Sequence, residues 1–169
     1  DPELSRGLGD VYKRQAELIA TASFSIEGIP FVFTNSAMGC LVDVDVDTGL
    51  TKIEKFWAVE DCGTQINPKL VEEQIRGGVV QGIGGALYEE CIYDEMGNLT
   101  NGNMADYLVP MAYEMPDIIV DHVTTNSGRS ILGAKGAGEA GTGGAPGAIM
   151  NAINDLSLIH ISEPTRQFR

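Results

Sequence analysis

The sequence predicts an α+β fold for residues 16–155, and three observations carry that prediction. Val42, Val44 and Val46 alternate with Asp43 and Asp45, the period of a half-buried strand. Val71, Ile75, Val79 and Ile83 recur every four residues, which makes a core-facing helical stripe. A glycine-dense loop, GAKGAGEAGTGGAPG at 133–147, then runs into a second short apolar helix.

Taken in order, the valine strand is followed by Asp47-Thr48-Gly49, residues suited to a turn with positive φ at the glycine. Ile53, Trp57 and Val59 share one face of the next strand, so residues 38–59 read as a β-hairpin. Glu60–Ile66 reads as a loop. Asn67-Pro68 starts a helix, with Asn capping free N–H groups and Pro at the first position. Its second face carries Gln74, Gly78, Gln81 and Gly85. Leu87–Tyr93 is expected to be a strand, closed by a turn over Asp94–Asn98 around Gly97. Residues 104–118 hold two prolines and read as irregular. Ile118–Val123 is expected to be another strand, and Pro146 to start the last helix, which buries Ile149 and Ile153.

Glycines cost a helix interior about 1 kcal/mol each against alanine, and Gly77, Gly78, Gly82, Gly84 and Gly85 crowd this one. Two offsets are open. One is close contact with a neighbouring helix or strand. The other is a ligand lying on bare backbone, with Gln74 supplying amide hydrogen bonds.

The chain has 169 residues and a formal net charge of −13. That charge argues against a nucleic-acid surface, which needs clustered Lys and Arg. No apolar run reaches the roughly 20 residues of a membrane span. Cys40, Cys62 and Cys91 form no CxxC pair, which disfavours a zinc or iron–sulfur site, and reduced thiols fit a cytoplasmic protein. Residues 1–15 and 156–169 lack clear periodicity and read as translated adapter sequence, so both are set aside from fold reasoning. The ends hold four acids and five bases, and residues 16–155 keep 20 acids and 6 bases.

Glu139 is the one acid among the loop glycines. A general base needs a carboxylate held near its target, with burial raising its affinity for the proton. A tightly folded loop can provide that; a surface glutamate in a flexible loop is the plainer alternative. Gly136, Gly138 and Gly141 also spell GxGxxG, which alone suggests a non-catalytic nucleotide-binding module. A Rossmann unit needs a further strand ending in an acid about 20 residues on, and Glu139 would repel phosphate. A third reading makes the glycines a packing device only. Then Gln74→Ala and Glu139→Ala would alter stability and nothing else. Glu72-Glu73 and Glu89-Glu90 read as helix-start and surface acids, because adjacent helical residues do not face each other. His122 reads as a solvated or satisfied histidine.

VDVDTG, DCGTQINP, VEEQIRGGVVQGIGGALYEE, DYLVP and GAKGAGEAG…AIMNAI stand in the order and spacing of one family. The chain resembles the C-terminal region of the large subunit of the molybdenum hydroxylases, a family that includes xanthine dehydrogenase, aldehyde oxidoreductase and aerobic carbon monoxide dehydrogenase. GAKGAGEAG looks closest to the carbon-monoxide-dehydrogenase-like branch.

The resemblance implies a fragment of the molybdopterin-binding domain, in which strands pack with glycine-rich helices. It implies molybdopterin with molybdenum, in a cytosine dinucleotide form. It also implies [2Fe–2S] clusters and FAD on partner subunits or domains. The activity implied is hydroxylation of an electron-poor carbon with water-derived oxygen. The substrate would be a small molecule such as an aldehyde, a purine or another N-heterocycle, or carbon monoxide. The residue in the position of Glu139 is the base in such enzymes. Gln74 stands where a glutamine lies against metal and pterin, and Gly138 where backbone lies beside the metal. Most of the large subunit is missing, so this chain alone is expected neither to hold the cofactor firmly nor to turn over.

Overall fold

The structure is a computed structural model that describes residues 21–23 and 32–156. The chain divides after Phe31, and the elements below all lie in the second unit, Val32–Arg169. Of the ends set aside at 1–15 and 156–169, all but Leu156 lie outside the described residues, and Leu156 closes the last helix.

Strand β1 (Asn35–Val44) pairs antiparallel with β2 (Thr51–Asp61). In the intervening turn, Asp45 Oδ1 accepts the N–H groups of Asp47 and Thr48 at 2.9 and 3.2 Å, and Gly49 takes φ 75°. The hairpin is as predicted, but β2 runs on through Glu60 and Asp61, which the sequence reading placed in a loop.

The pattern of facing residues also differs. The register passes from Leu41↔Lys55 to Val42↔Ile53, so Glu54 is an extra residue on β2. This bulge shifts the alternation. Ile53, Phe56 and Ala58 are therefore buried, while Trp57 and Val59 are exposed on the opposite face. Strict period two had put Ile53, Trp57 and Val59 together.

Helix α1 (Pro68–Leu87) starts as predicted: Asn67 Oδ1 accepts the Leu70 N–H at 3.3 Å and Pro68 sits in the first turn. It ends where the Gly84 carbonyl accepts the N–H groups of Tyr88 and Glu89. Helix thus occupies Leu87, and 88–93 is not the expected strand; only an isolated bridge, Tyr93↔Leu99, flanks the turn at Gly97. After the irregular segment and a short 3-10 turn at Ala112–Glu114, β3 (Asp117–His122) joins the free edge of β2 in parallel. A parallel neighbour requires a crossover, and α1 lies within it.

Helix α2 (Ala140–Leu156) begins six residues before the expected start and contains Pro146. The sequence reading favoured proline at the first helical position. Here its missing N–H leaves the Thr142 carbonyl without the usual bond from four residues on.

Among the described residues the sheet has the order β1-β2-β3. The helices supply the second layer: α1 lies against β3 and α2, and α2 lies against β1. Phe56, Ala58, Ile75, Val79, Ile83, Ala145 and Ile149 are fully buried between the layers.

The helices meet at glycine. A Cβ on Gly141 would lie 2.3 Å from the Ile75 carbonyl oxygen, and one on Gly78 would lie 3.0 Å from Gly141 Cα. Thr142 Oγ1 donates to the Gly78 carbonyl at 3.1 Å. Close packing therefore accounts for Gly78 and Gly82, whereas Gly77 and Gly85 face open space.

Candidate functional site

Two anchors shape the loop that carries Glu139. The first joins it to the DCGT segment after β2. Gly63 and Gly133 take φ 64° and 74°, and a Cβ on Gly63 would meet the Gly133 carbonyl oxygen at 2.1 Å, so only glycine suits this approach. Lys135 N–H donates to the Cys62 carbonyl at 2.7 Å, and Thr64 N–H to Gly133 at 3.3 Å.

An ion pair reinforces this contact: Lys135 Nζ lies 2.9 Å from Asp61 Oδ2, with the side chains 7% and 13% exposed. Asp61 Oδ1 also accepts the N–H groups of Gly63 and Thr125, both at 3.0 Å. The Lys135 ammonium, helped by these backbone donors, holds the Asp61 carboxyl well below the usual carboxylate range. The sequence reading assigned neither residue a role. The lone lysine of the glycine loop was the available signal.

The second anchor is Gln74. Its Nε2 donates to the Gly138 carbonyl at 2.8 Å, so α1 holds the residue next to Glu139. The Glu139 carbonyl in turn accepts the Thr142 and Gly143 N–H groups and opens α2. The predicted Gln74, Gly138 and Glu139 are thus brought together.

The Glu139 side chain lies on a cleft of about 480 Å³ lined by Thr34, Ser36, Gly136, Gly138, Ala140, Gly143 and Gly144. Of the alternatives the sequence left open, Glu139 takes the exposed one, because its neighbours are glycine and alanine and offer little to cover it. The nitrogen of Gln74, which one reading gave to a ligand, is engaged by the loop.

A Cβ on Gly136, Gly138 or Gly143 would meet nothing within 4 Å. The cleft wall is therefore bare backbone, open to close approach by a bulky group. The first turn of α2 adds the positive end of a helix dipole. One carboxylate, two hydroxyls and exposed backbone can accept a proton and orient a bound group.

The remaining acid pairs behave as surface groups. Arg76 pairs with Glu72 at 2.5 Å and Glu73 at 2.7 Å. Glu89 accepts the Tyr107 hydroxyl at 2.6 Å, which pushes that phenol up to about 12. His122 departs from its reading: its Nδ1 is buried and makes no hydrogen bond. The GxGxxG loop also departs from a Rossmann unit. Gly141 is used in the helix contact, and among the described residues no strand follows α2.

Residues 3–116 match the molybdopterin cofactor-binding domain model. The chain is 46% identical over 124 residues to the nicotine 6-hydroxylase large subunit of Paenarthrobacter nicotinovorans, covering 73% of this chain and 15% of that one. It is 39% identical over 134 residues to the carbon monoxide dehydrogenase large chain of Afipia carboxidovorans, covering 77% and 17%. The crystal structure of quinoline 2-oxidoreductase from Pseudomonas putida 86 superposes with a TM-score of 0.71 at 44% identity, covering 76% of this chain and 16% of that one. The chain thus spans about a sixth of the length of these relatives.

Proposed function

The chain belongs to the molybdopterin cofactor-binding domains of the molybdenum hydroxylase large subunits, and from that premise we propose that its cleft is the base-bearing wall of such an active site. The observation that carries the reading is the placement of Glu139: a lone carboxylate, fixed through Gly138 and Gln74, beside bare backbone. The family resemblance and the geometry point to the same residue.

The residues fit a molybdenum–pterin group. Gly136, Gly138 and Gly143 leave the room a Cβ would take, and Thr34 and Ser36 offer hydroxyls. When bound, this group supplies the oxygen-transfer and two-electron chemistry of the reaction. Glu139 accepts a proton at its carboxylate from the group that attacks the substrate. Gln74 keeps the Gly138 carbonyl, and so the Glu139 backbone, in place. The Lys135–Asp61 pair holds the other end of the loop. The rest of the subunit covers the cleft and supplies the burial that a base requires.

The substrate class proposed is a small molecule with an electron-poor carbon, such as an N-heterocycle or an aldehyde, or carbon monoxide. The relatives named for nicotine, quinoline and carbon monoxide support that class. A cytosine dinucleotide form of the cofactor, [2Fe–2S] and FAD partners and a cytoplasmic setting complete the proposal. The test is Glu139→Gln in the intact enzyme. Molybdenum content should stay, and turnover should fall by about 10²-fold or more, the contribution of a positioned base. Undiminished turnover would remove Glu139 from the role.

A further inference from the structure

Beside the cleft lies a buried carboxyl that this reaction scheme does not use. Glu60 is 0% exposed on the core face of β2. Its register neighbours are Ser36 on β1 and His122 on β3, so the three form one transverse row across the sheet. Ser36 and Thr34 line the cleft with Glu139.

Thr34 Oγ1 donates to Glu60 Oε1 and lies 2.9 Å from the Asp61 carbonyl oxygen. On the other side, Glu60 Oε2 and His122 Nδ1 are both buried and make no hydrogen bond. The two residues are register partners on adjacent strands, which stand about 4.8 Å apart, so their side chains are neighbours on one face of the sheet.

An ionised carboxylate this deep, with a single hydroxyl donor, is costly. Burial raises the proton affinity of Glu60, and Asp61 adds to the effect; Thr34, His122 and Lys135 oppose it. Cys62, the next buried ionisable side chain, is itself pushed up by burial. Glu60 thus holds its proton more tightly than an exposed glutamate does.

We propose that Thr34, Glu60 and His122 form a proton path that carries protons from the Glu139 cleft to the β3 edge of the sheet. The inference rests on the reading of Glu139 as the base, whose proton must leave before the next cycle. Glu60 Oε1 takes the Thr34 hydroxyl proton as the proton on Oε2 passes to His122 Nδ1. Thr34 regains a proton from the cleft side. One proton enters, one leaves, and no electrons move. His122 is half-buried on the outermost described strand, and it releases the proton from there.

The test uses the intact molybdenum-loaded enzyme and two readouts. Infrared spectra at neutral pH should show a protonated carboxyl band that disappears in Glu60→Gln and shifts in Thr34→Val. The band should persist in Glu139→Gln, which separates this inference from the base assignment. Turnover of Thr34→Val and of Glu60→Gln should fall about tenfold or more, with a larger solvent deuterium isotope effect and unchanged molybdenum content. Absence of a band assignable to Glu60 would overturn the proposal. So would Thr34→Val turning over at the full rate with an unchanged isotope effect.

Discussion

Replacing Lys135 with alanine removes one half of the Asp61–Lys135 pair and leaves a carboxylate that is only 13% exposed. Removing one partner of such a part-buried pair is destabilising because the charge left behind loses its compensation, and the Gly63 and Thr125 N–H donors that Asp61 keeps limit the loss. Trp57, the only tryptophan of the chain, sits on β2 four residues from Asp61 and reports unfolding by fluorescence. Urea unfolding at pH 7 should show the midpoint lowered by about 1 M or more.

The pair also sets a pH dependence. The Asp61 carboxyl is depressed in the fold, so its contribution is fully present above the unfolded value of about 3.9. That contribution fades only as pH falls through the lower folded value. The gap between the parent chain and Lys135→Ala should therefore hold at pH 5 and close in stronger acid. A loss below about 1 kcal/mol, the size of a surface pair, would refute the reasoning. So would a gap already closed at pH 5.

Gly141→Ala sets a Cβ 2.3 Å from the Ile75 carbonyl oxygen. Overpacking of about 1–3 kcal/mol should outweigh the helix gain of about 1 kcal/mol, and the urea midpoint should fall. Gly77→Ala and Gly85→Ala meet no neighbour and should stabilise the chain by up to about 1 kcal/mol; a loss in either would show that those positions are packed. Gln74→Ala removes the bond to Gly138 and should cost about 1 kcal/mol of stability. In the intact enzyme it should also lower kcat with molybdenum retained. Unchanged kcat would leave Gln74 a stability residue only.

Much of this architecture was legible because local chemistry and periodicity agree. Asn67-Pro68 specifies a helix start by capping, and Asp47-Thr48-Gly49 specifies a turn, and both occur. The bulge at Leu41/Val42 was not legible, because a one-residue slip leaves no mark in an alternating pattern and still reverses the buried face of β2. Pro146 misled for a related reason. Its preference for a helix start is local, whereas the early start of α2 sits at the Gly78–Gly141 contact between distant segments.

Within the site, Glu139 and Gln74 stood out by composition and spacing. Their link through Gly138 joins residues 64 positions apart. Asp61, Lys135 and Glu60 gain their surroundings only when β2, β3 and the glycine loop converge, so no stretch of sequence displays them together.

The central claim is that Glu139 supplies the base and does not hold the cofactor. The direct measurement is single-turnover reduction of the intact enzyme by its substrate, in the parent and in Glu139→Gln, with molybdenum and pterin assayed in the same samples. Equal cofactor content with reduction slowed by about 10²-fold or more is the predicted result. Equal content with an unchanged rate, or loss of the cofactor from the variant, would contradict it.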